Sequence, residues 1–197
     1  MDKSHFFALV SRLKNINRWG LMHSTSNENV LEHSAATAML AYALAAISRD
    51  VFGRGVSPEC AAATALFHDI SEVFTGDMPS PVKYASPEMK KAYKAEEAQA
   101  RGRLFAQLPP PLRATFAAVL YAEERDEETR RFVKAADKLA AYIKCVGETS
   151  AGNREFSAAE KTLRDWLDNE CESMPELGWF IDCFLDSFKL SLDELSN

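Results

Sequence analysis

The densest chemistry in this 197-residue chain lies in Ala65-Leu66-Phe67-His68-Asp69-Ile70-Ser71-Glu72-Val73-Phe74-Thr75-Gly76-Asp77. Read as one helix at about 100° per residue, it places His68, Asp69 and Glu72 within about 100° of one another. Leu66, Ile70 and Val73 form a separate apolar stripe, with Phe67 and Phe74 beside it. No Lys or Arg occurs between Phe67 and Pro81, so the acid-imidazole face does not resemble an ordinary solvated one. An imidazole beside a carboxylate suits borderline divalent ions such as Zn²⁺, Mn²⁺, Fe²⁺ or Co²⁺. His-Asp doublets also arise by chance, so this one needs partners elsewhere.

Helices must supply those partners, because nearly every segment reads as helix. Ser57-Pro58-Glu59 starts the reactive helix with a cap, a proline at the first position and an acid at the positive end. That helix is expected to run on to Gly76. Upstream, Asn29 and Glu32 form a capping box ahead of a long helix with Val30, His33, Thr37, Leu40 and Leu44 on one face. A lone His on such a stripe is more often a satisfied core residue than a ligand. Downstream, Asp126-Glu127-Glu128 opens a helix whose core stripe is Phe132, Ala136, Leu139, Ala140 and Ile143. Asp137 adjoins that stripe, where a carboxylate is costly unless paired or bound to a cation.

The other segments frame these three helices. Ser4, as cap, starts a helix to Asn15. The connector Asn17-Arg18-Trp19-Gly20-Leu21 sets a cation beside a large aromatic; the bland alternative is a core Trp19 and a solvated Arg18. Asp77-Met78-Pro79-Ser80-Pro81-Val82-Lys83 is a stiff loop. It brings Asp77, Ser80 and Lys83 to the end of the reactive helix, or is a surface loop with incidental polar groups. Ser86-Pro87-Glu88 starts another helix, to about Leu108, with a solvated face. A shorter helix follows Pro109-Pro110-Pro111 to about Tyr121. Ala151-Gly152-Asn153 is a break before helices near 156–167 and 177–188. Their Trp166, Trp179, Phe180, Phe184 and Phe188 read as core or subunit interface. No repeat, linker, strand pattern, Gly-rich phosphate loop or Ser-His-Asp signature is evident.

Composition sets the outer bounds. A single domain over 1–197 is large enough for a sizeable core. The formal net charge is -6, which argues against a nucleic-acid polymer or an anionic membrane as main partner. Cys60, Cys145, Cys171 and Cys183 lack C-x-x-C spacing and read as reduced core residues of a cytoplasmic protein. No signal peptide is evident and no apolar run approaches 18 residues.

His33, His68-Asp69 and Asp137 thus come from three helices, each at or beside a core-facing stripe. One metal site explains all three at once. The order H…HD…D resembles the HD-domain metal-dependent phosphohydrolases. Ser4-His5-Phe6-Phe7, Asn17-Arg18-Trp19, Glu28-Asn29-Val30, Glu32-His33-Ser34, Thr75-Gly76-Asp77, Pro81-Val82-Lys83-Tyr84, Lys144-Cys145, Ala151-Gly152-Asn153 and Leu192-Asp193-Glu194 resemble the bacterial 5′-deoxynucleotidases of that superfamily. The resemblance spans nearly the whole chain. It implies an all-α, HD-domain helical fold in a single compact domain. It also implies hydrolysis of deoxyribonucleoside 5′-monophosphates, selective against ribonucleotides, by a cytoplasmic homodimer. The implied cofactor is a divalent transition-metal cation such as Co²⁺ or Mn²⁺. By resemblance, His33, His68, Asp69 and Asp137 hold the metal, while Arg18, Trp19, His68, Asp77, Met78, Pro79, Ser80 and Asp137 contact substrate. Gly20, Met78 and Ser80 depart from the family pattern, the last where threonine is usual.

The residues also support a mechanism without the family name. Two His and two Asp around a divalent ion make a site of about zero formal charge, which leaves a phosphate dianion unbalanced. Arg18 is the expected added cation, with Lys83 as a second candidate. Glu72 is expected to exchange a proton during catalysis. Trp19 would pack on the sugar and leave no room for a 2′-hydroxyl, and Asp77 or Ser80 would bond the 3′-hydroxyl. The alternatives are an HD phosphohydrolase acting on another nucleotide, or a non-catalytic nucleotide-binding regulator.

Overall fold

A computed structural model describes residues 3–196. Met1, Asp2 and Asn197, the ends of the expected 1–197 domain, lie outside the described residues. The described residues are all-α with no strand; a lone antiparallel bridge joins Asn17 to Asn29.

Three helices carry the centre: α2 (Val30–Asp50), α3 (Pro58–Leu66) and α9 (Glu127–Ser150). Before them comes α1 (Phe6–Val10), and after α3 come α4 (Glu72–Thr75), α5 (Ser80–Lys83), α6 (Pro87–Ala106), α7 (Pro110–Leu120) and α8 (Ala122–Arg125). The chain ends in α10 (Ser157–Cys171), α11 (Pro175–Phe184) and α12 (Leu192–Leu195).

Most start signals act as expected. The Asn29–Glu32 capping box closes in both directions, Ser57 accepts from the Cys60 N–H, Ser86 from Met89 and Asp126 from Glu128. Each supplies an acceptor to a first-turn N–H that has no partner inside the helix. Ser4 differs. Its hydroxyl donates to the Gln107 carbonyl at 2.7 Å and accepts from Phe6, and the segment splits into α1 and a 3₁₀ turn at Ser11–Asn15.

The apolar side chains form two clusters. Ala41, Leu44, Ala65, Leu139, Val146, Leu167 and Leu177 join α2, α3, α9, α10 and α11. Phe6, Ile70, Leu104, Leu108 and Leu120 join α1, α6 and α7 to the turn after α3. His33 and Asp137 belong to helices of the first cluster, and Asp69 is next to Ile70 in the second, so the reactive residues lie at the seam.

Helix α2 is long and apolar enough, by length and composition, to cross a membrane, although polar residues such as His33, Ser34 and Thr37 interrupt its apolar run. Val30, His33, Thr37, Ala41, Leu44 and Ala45 on it are wholly buried, so it is the central helix of the core. One expectation changes. Cys145 is buried, but Cys60 and Cys183 are exposed and Cys171 is intermediate; all four are free thiols. Phe180 is buried, whereas Phe184 and Phe188 are exposed, which removes the core alternative for these two and leaves the interface one.

Candidate active site

The reactive segment is not one helix. α3 stops at Leu66, and α4 begins only at Glu72. Between them the chain tightens into turns: Phe67 N–H bonds Thr64, Ile70 N–H bonds Phe67 and Glu72 N–H bonds Asp69. Each spans three residues, not the four of an α-helix. His68 and Asp69 therefore stand on the turn and not on a helical face. Leu66, expected on the apolar stripe, is exposed, whereas Ile70 is buried. The helix end frees the Ala65 carbonyl, which accepts the His68 Nδ1–H at 2.7 Å. That bond fixes the ring and turns Nε2 inward.

The structure brings the expected ligand residues together. One donor atom each from His33, His68 and Asp69 all lie within 4.8 Å of one another. His68 Nε2 is 3.1 Å from Asp69 Oδ2, and His33 Nε2 is 3.8 Å from the same oxygen. Asp137 meets the group through His33, its Oδ1 being 3.1 Å from His33 Nε2. His68 Nε2 is buried with no hydrogen-bond partner. A buried imidazole nitrogen without a partner, facing carboxylates on a ring held from behind, fits a divalent cation.

The local charges strain one another. Burial opposes a charged His68, but Asp69 outweighs it and pushes the imidazole up to about 10. Burial likewise opposes a charged Asp69, yet His68 holds that carboxyl down at about 2. Asp137 lies well below the usual carboxylate range, because the His33 bond and the Lys138 charge overcome its burial. Glu72 goes the other way. Burial, then the charges of Asp69 and Asp77, lift it to about 9 against Arg18 and His68. Its Oε2 is buried without a hydrogen-bond partner. At neutral pH Glu72 thus holds its proton beside the ionised Asp69.

Outside this cluster lies a cavity of about 590 Å³. Arg18, Trp19, Asp77, Met78, Pro79, Ser80 and Asp137 line it. The bland reading of Arg18 and Trp19 is thereby set aside: both face the cavity. Arg18 sends Nη1 to 3.6 Å from Asp69 Oδ2 and Nε to Glu28 at 3.1 Å. Gly76, at φ +69° and ψ 169°, turns the chain from α4 toward Asp77 in a conformation a side chain would strain. Tyr93 Oη donates to its carbonyl at 3.2 Å and anchors that turn to α6.

Two expectations differ. His68 is not among the cavity-lining residues. Lys83 donates to Glu97 at 2.9 Å and lies over the Tyr93 ring, outside the lining, so the cations that line the cavity are Arg18 and Lys138, the latter 3.3 Å from Asp137. Trp166, read as core or interface, does pack against the first cluster and also lines the cavity with Ala159, Thr162 and Leu163 of α10. The spacing of these four, one helical stripe over two turns, was the signal available in the sequence.

The fold is that of the HD-domain phosphohydrolases. Such a protein from Listeria innocua matches with a TM-score of 0.80 at 24% identity, over 93% of this chain and 88% of that one. The cyanophage S-2L HD phosphohydrolase DatZ, solved with dA and one catalytic Zn²⁺ ion, matches with a TM-score of 0.59 at 22% identity, over 92% of this chain and 95% of that one. The chain belongs to the YfbR-like 5′-deoxynucleotidase family, whose model matches residues 5–188. The 5′-deoxynucleotidase of Vibrio parahaemolyticus is 47% identical over the full length of both chains. Escherichia coli 5′-deoxynucleotidase YfbR is 46% identical, over all of this chain and 98% of that one.

Proposed function

We propose that this enzyme hydrolyses deoxyribonucleoside 5′-monophosphates to deoxyribonucleoside and phosphate, and that it discriminates against ribonucleotides. The observation that carries this reading is the continuity of Arg18, Asp137 and the His33–His68–Asp69 cluster with one nucleotide-sized cavity. His33, His68, Asp69 and Asp137 would hold a divalent cation such as Co²⁺ or Mn²⁺, which would supply Lewis acidity at the phosphate.

The chain's own groups do the rest. Arg18 grips the phosphate oxygens with a planar guanidinium whose charge is stabilised by its acidic neighbours despite its burial. A water oxygen bonds phosphorus as the P–O5′ bond breaks; Glu72, which holds a proton at neutral pH, gives it to the leaving 5′-oxygen and is reprotonated by one of that water's protons. Trp19 closes against C2′ of the sugar. Asp77 and Ser80 bond the 3′-hydroxyl, and Met78 and Pro79 complete that wall. Leu163 and Trp166 give the base an apolar surface. The same reading makes the enzyme a cytoplasmic homodimer that acts on free nucleotides and on neither nucleic-acid polymers nor membranes. Its acidic balance and its exposed Phe184, Phe188 and Leu192 support this.

Phosphate release from dAMP and AMP, by wild type and Trp19→Ala in parallel, tests the selectivity. The wild type should favour dAMP, and the variant should lose most of that preference. Equal wild-type rates on both nucleotides would refute the role given to Trp19.

A further inference from the structure

Trp19 has the backbone of a residue held in place. Its φ is +58°, the one non-glycine with a positive φ among the described residues. Such a conformation is strained for a side chain and persists only where the surroundings over-determine it. Three contacts do so: the Met22 N–H bonds the Trp19 carbonyl at 2.8 Å, the ring packs on Phe156 at 5.2 Å, and the indole N–H donates to Glu28 Oε2 at 3.1 Å.

That Glu28 oxygen also accepts Arg18 Nε at 3.1 Å. Glu28 is itself tied to the connector, because its carbonyl accepts the Arg18 N–H at 2.9 Å, and Val30 N–H bonds Ile16 at 3.0 Å. One carboxylate at the entrance to α2 therefore fixes the angle of the indole and of the guanidinium together, five residues upstream of His33. It lines no part of the cavity.

We infer that Glu28 is a positioning residue that sets sugar selectivity by locking Trp19 and Arg18 to a common oxygen. This rests on the reading of Trp19 and Arg18 given above. Exclusion of a single hydroxyl depends on small displacements of a wall, and a ring free to tilt would admit it. Without Glu28 the indole N–H and the Arg18 Nε–H each lose an acceptor, so the wall loosens while the ligand cluster stays intact.

The test is kcat/KM for dAMP and AMP in wild type, Glu28→Ala, Glu28→Gln and Trp19→Ala. Bound metal and the ¹⁵N indole resonances are followed in each, with Trp19→Ala assigning the Trp19 signal. Glu28→Ala should lower the dAMP/AMP ratio about tenfold and move the Trp19 indole signal, with metal content unchanged. Glu28→Gln keeps an oxygen that can accept both donors and should stay within about threefold of wild type. If Glu28→Ala does not fold, Glu28→Met, similar in length but without an oxygen, takes its place with the same expectations. A selective wild type whose ratio collapses in Trp19→Ala but survives loss of the Glu28 carboxylate would overturn this inference alone. A wild type that does not discriminate would overturn the reading of Trp19 and this inference with it.

Discussion

Glu148 is 1% exposed and holds the loop that leads from the cavity to α2. Its carboxylate accepts from Thr25 N–H at 2.8 Å, Thr25 Oγ1 at 2.7 Å, Ser26 N–H at 3.2 Å and Asn153 Nδ2 at 2.9 Å, and it pairs with Lys144. Glu148→Ala removes all of these at once. Thr25 and Ser26 are exposed, so water can replace the acceptor for their donors. Lys144, with a side chain only 9% exposed, keeps an uncompensated charge. Breaking such a buried pair costs about 3–5 kcal/mol, which for a chain of this size lowers Tm by about 6–20 °C. The pH dependence has a definite sign. Burial opposes the Glu148 charge, but Lys144, Asn153 and Thr25 hold its carboxyl well below the usual range. A carboxylate with a depressed folded pKa contributes stability that is present above the unfolded value of about 4.3 and is lost as pH falls below it. The gap between wild type and Glu148→Ala should therefore be widest near neutrality and narrow below about pH 4. Urea unfolding of both proteins from pH 3 to pH 8 measures this. A difference below 1 kcal/mol at pH 7, or one that grows on acidification, would refute the reasoning.

Asp137→Ala should lose bound metal and activity together; elemental analysis beside phosphate release checks both, and a metal-loaded, fully active variant contradicts the ligand assignment. Glu72→Gln should retain metal and substrate affinity while kcat falls by about 10²–10⁴. Because the raised Glu72 pKa means its ionised form destabilises the metal-free fold above the ordinary carboxylate pKa, that variant should also be no less stable than wild type at pH 8. Near-normal turnover would remove Glu72 from the chemistry. Trp166→Ala should raise KM for every deoxynucleotide with little change in kcat, which steady-state kinetics will show; a kcat effect with KM unchanged would place Trp166 elsewhere.

The legible part of this protein was the part governed by local rules. Capping at Asn29, Ser57, Ser86 and Asp126 depends on neighbours in sequence, and those helices start where the residues predict. His33 and Asp137 were visible because each is chemically out of place beside an apolar stripe. The break at Phe67 was not visible, since residues 65–75 keep helical periodicity. Packing of Ile70 into the second cluster, and the bond of His68 to the freed Ala65 carbonyl, favour the tighter turn. Glu28 and Glu148 were equally hidden. Glu148 takes its loop donors from more than 100 residues away and Glu28 from the connector nine and ten residues before it, yet each is written like any solvated acid. Lys83 illustrates the converse: a cation beside the site in sequence is taken up by Glu97 on another helix.

Phosphate release from dAMP by chelator-stripped enzyme, before and after addition of Mn²⁺ or Co²⁺, tests the central claim most directly. The site described here requires negligible release from the stripped protein and full recovery on addition of the ion, lost again in His68→Ala. Undiminished release from protein shown to contain no metal would contradict it.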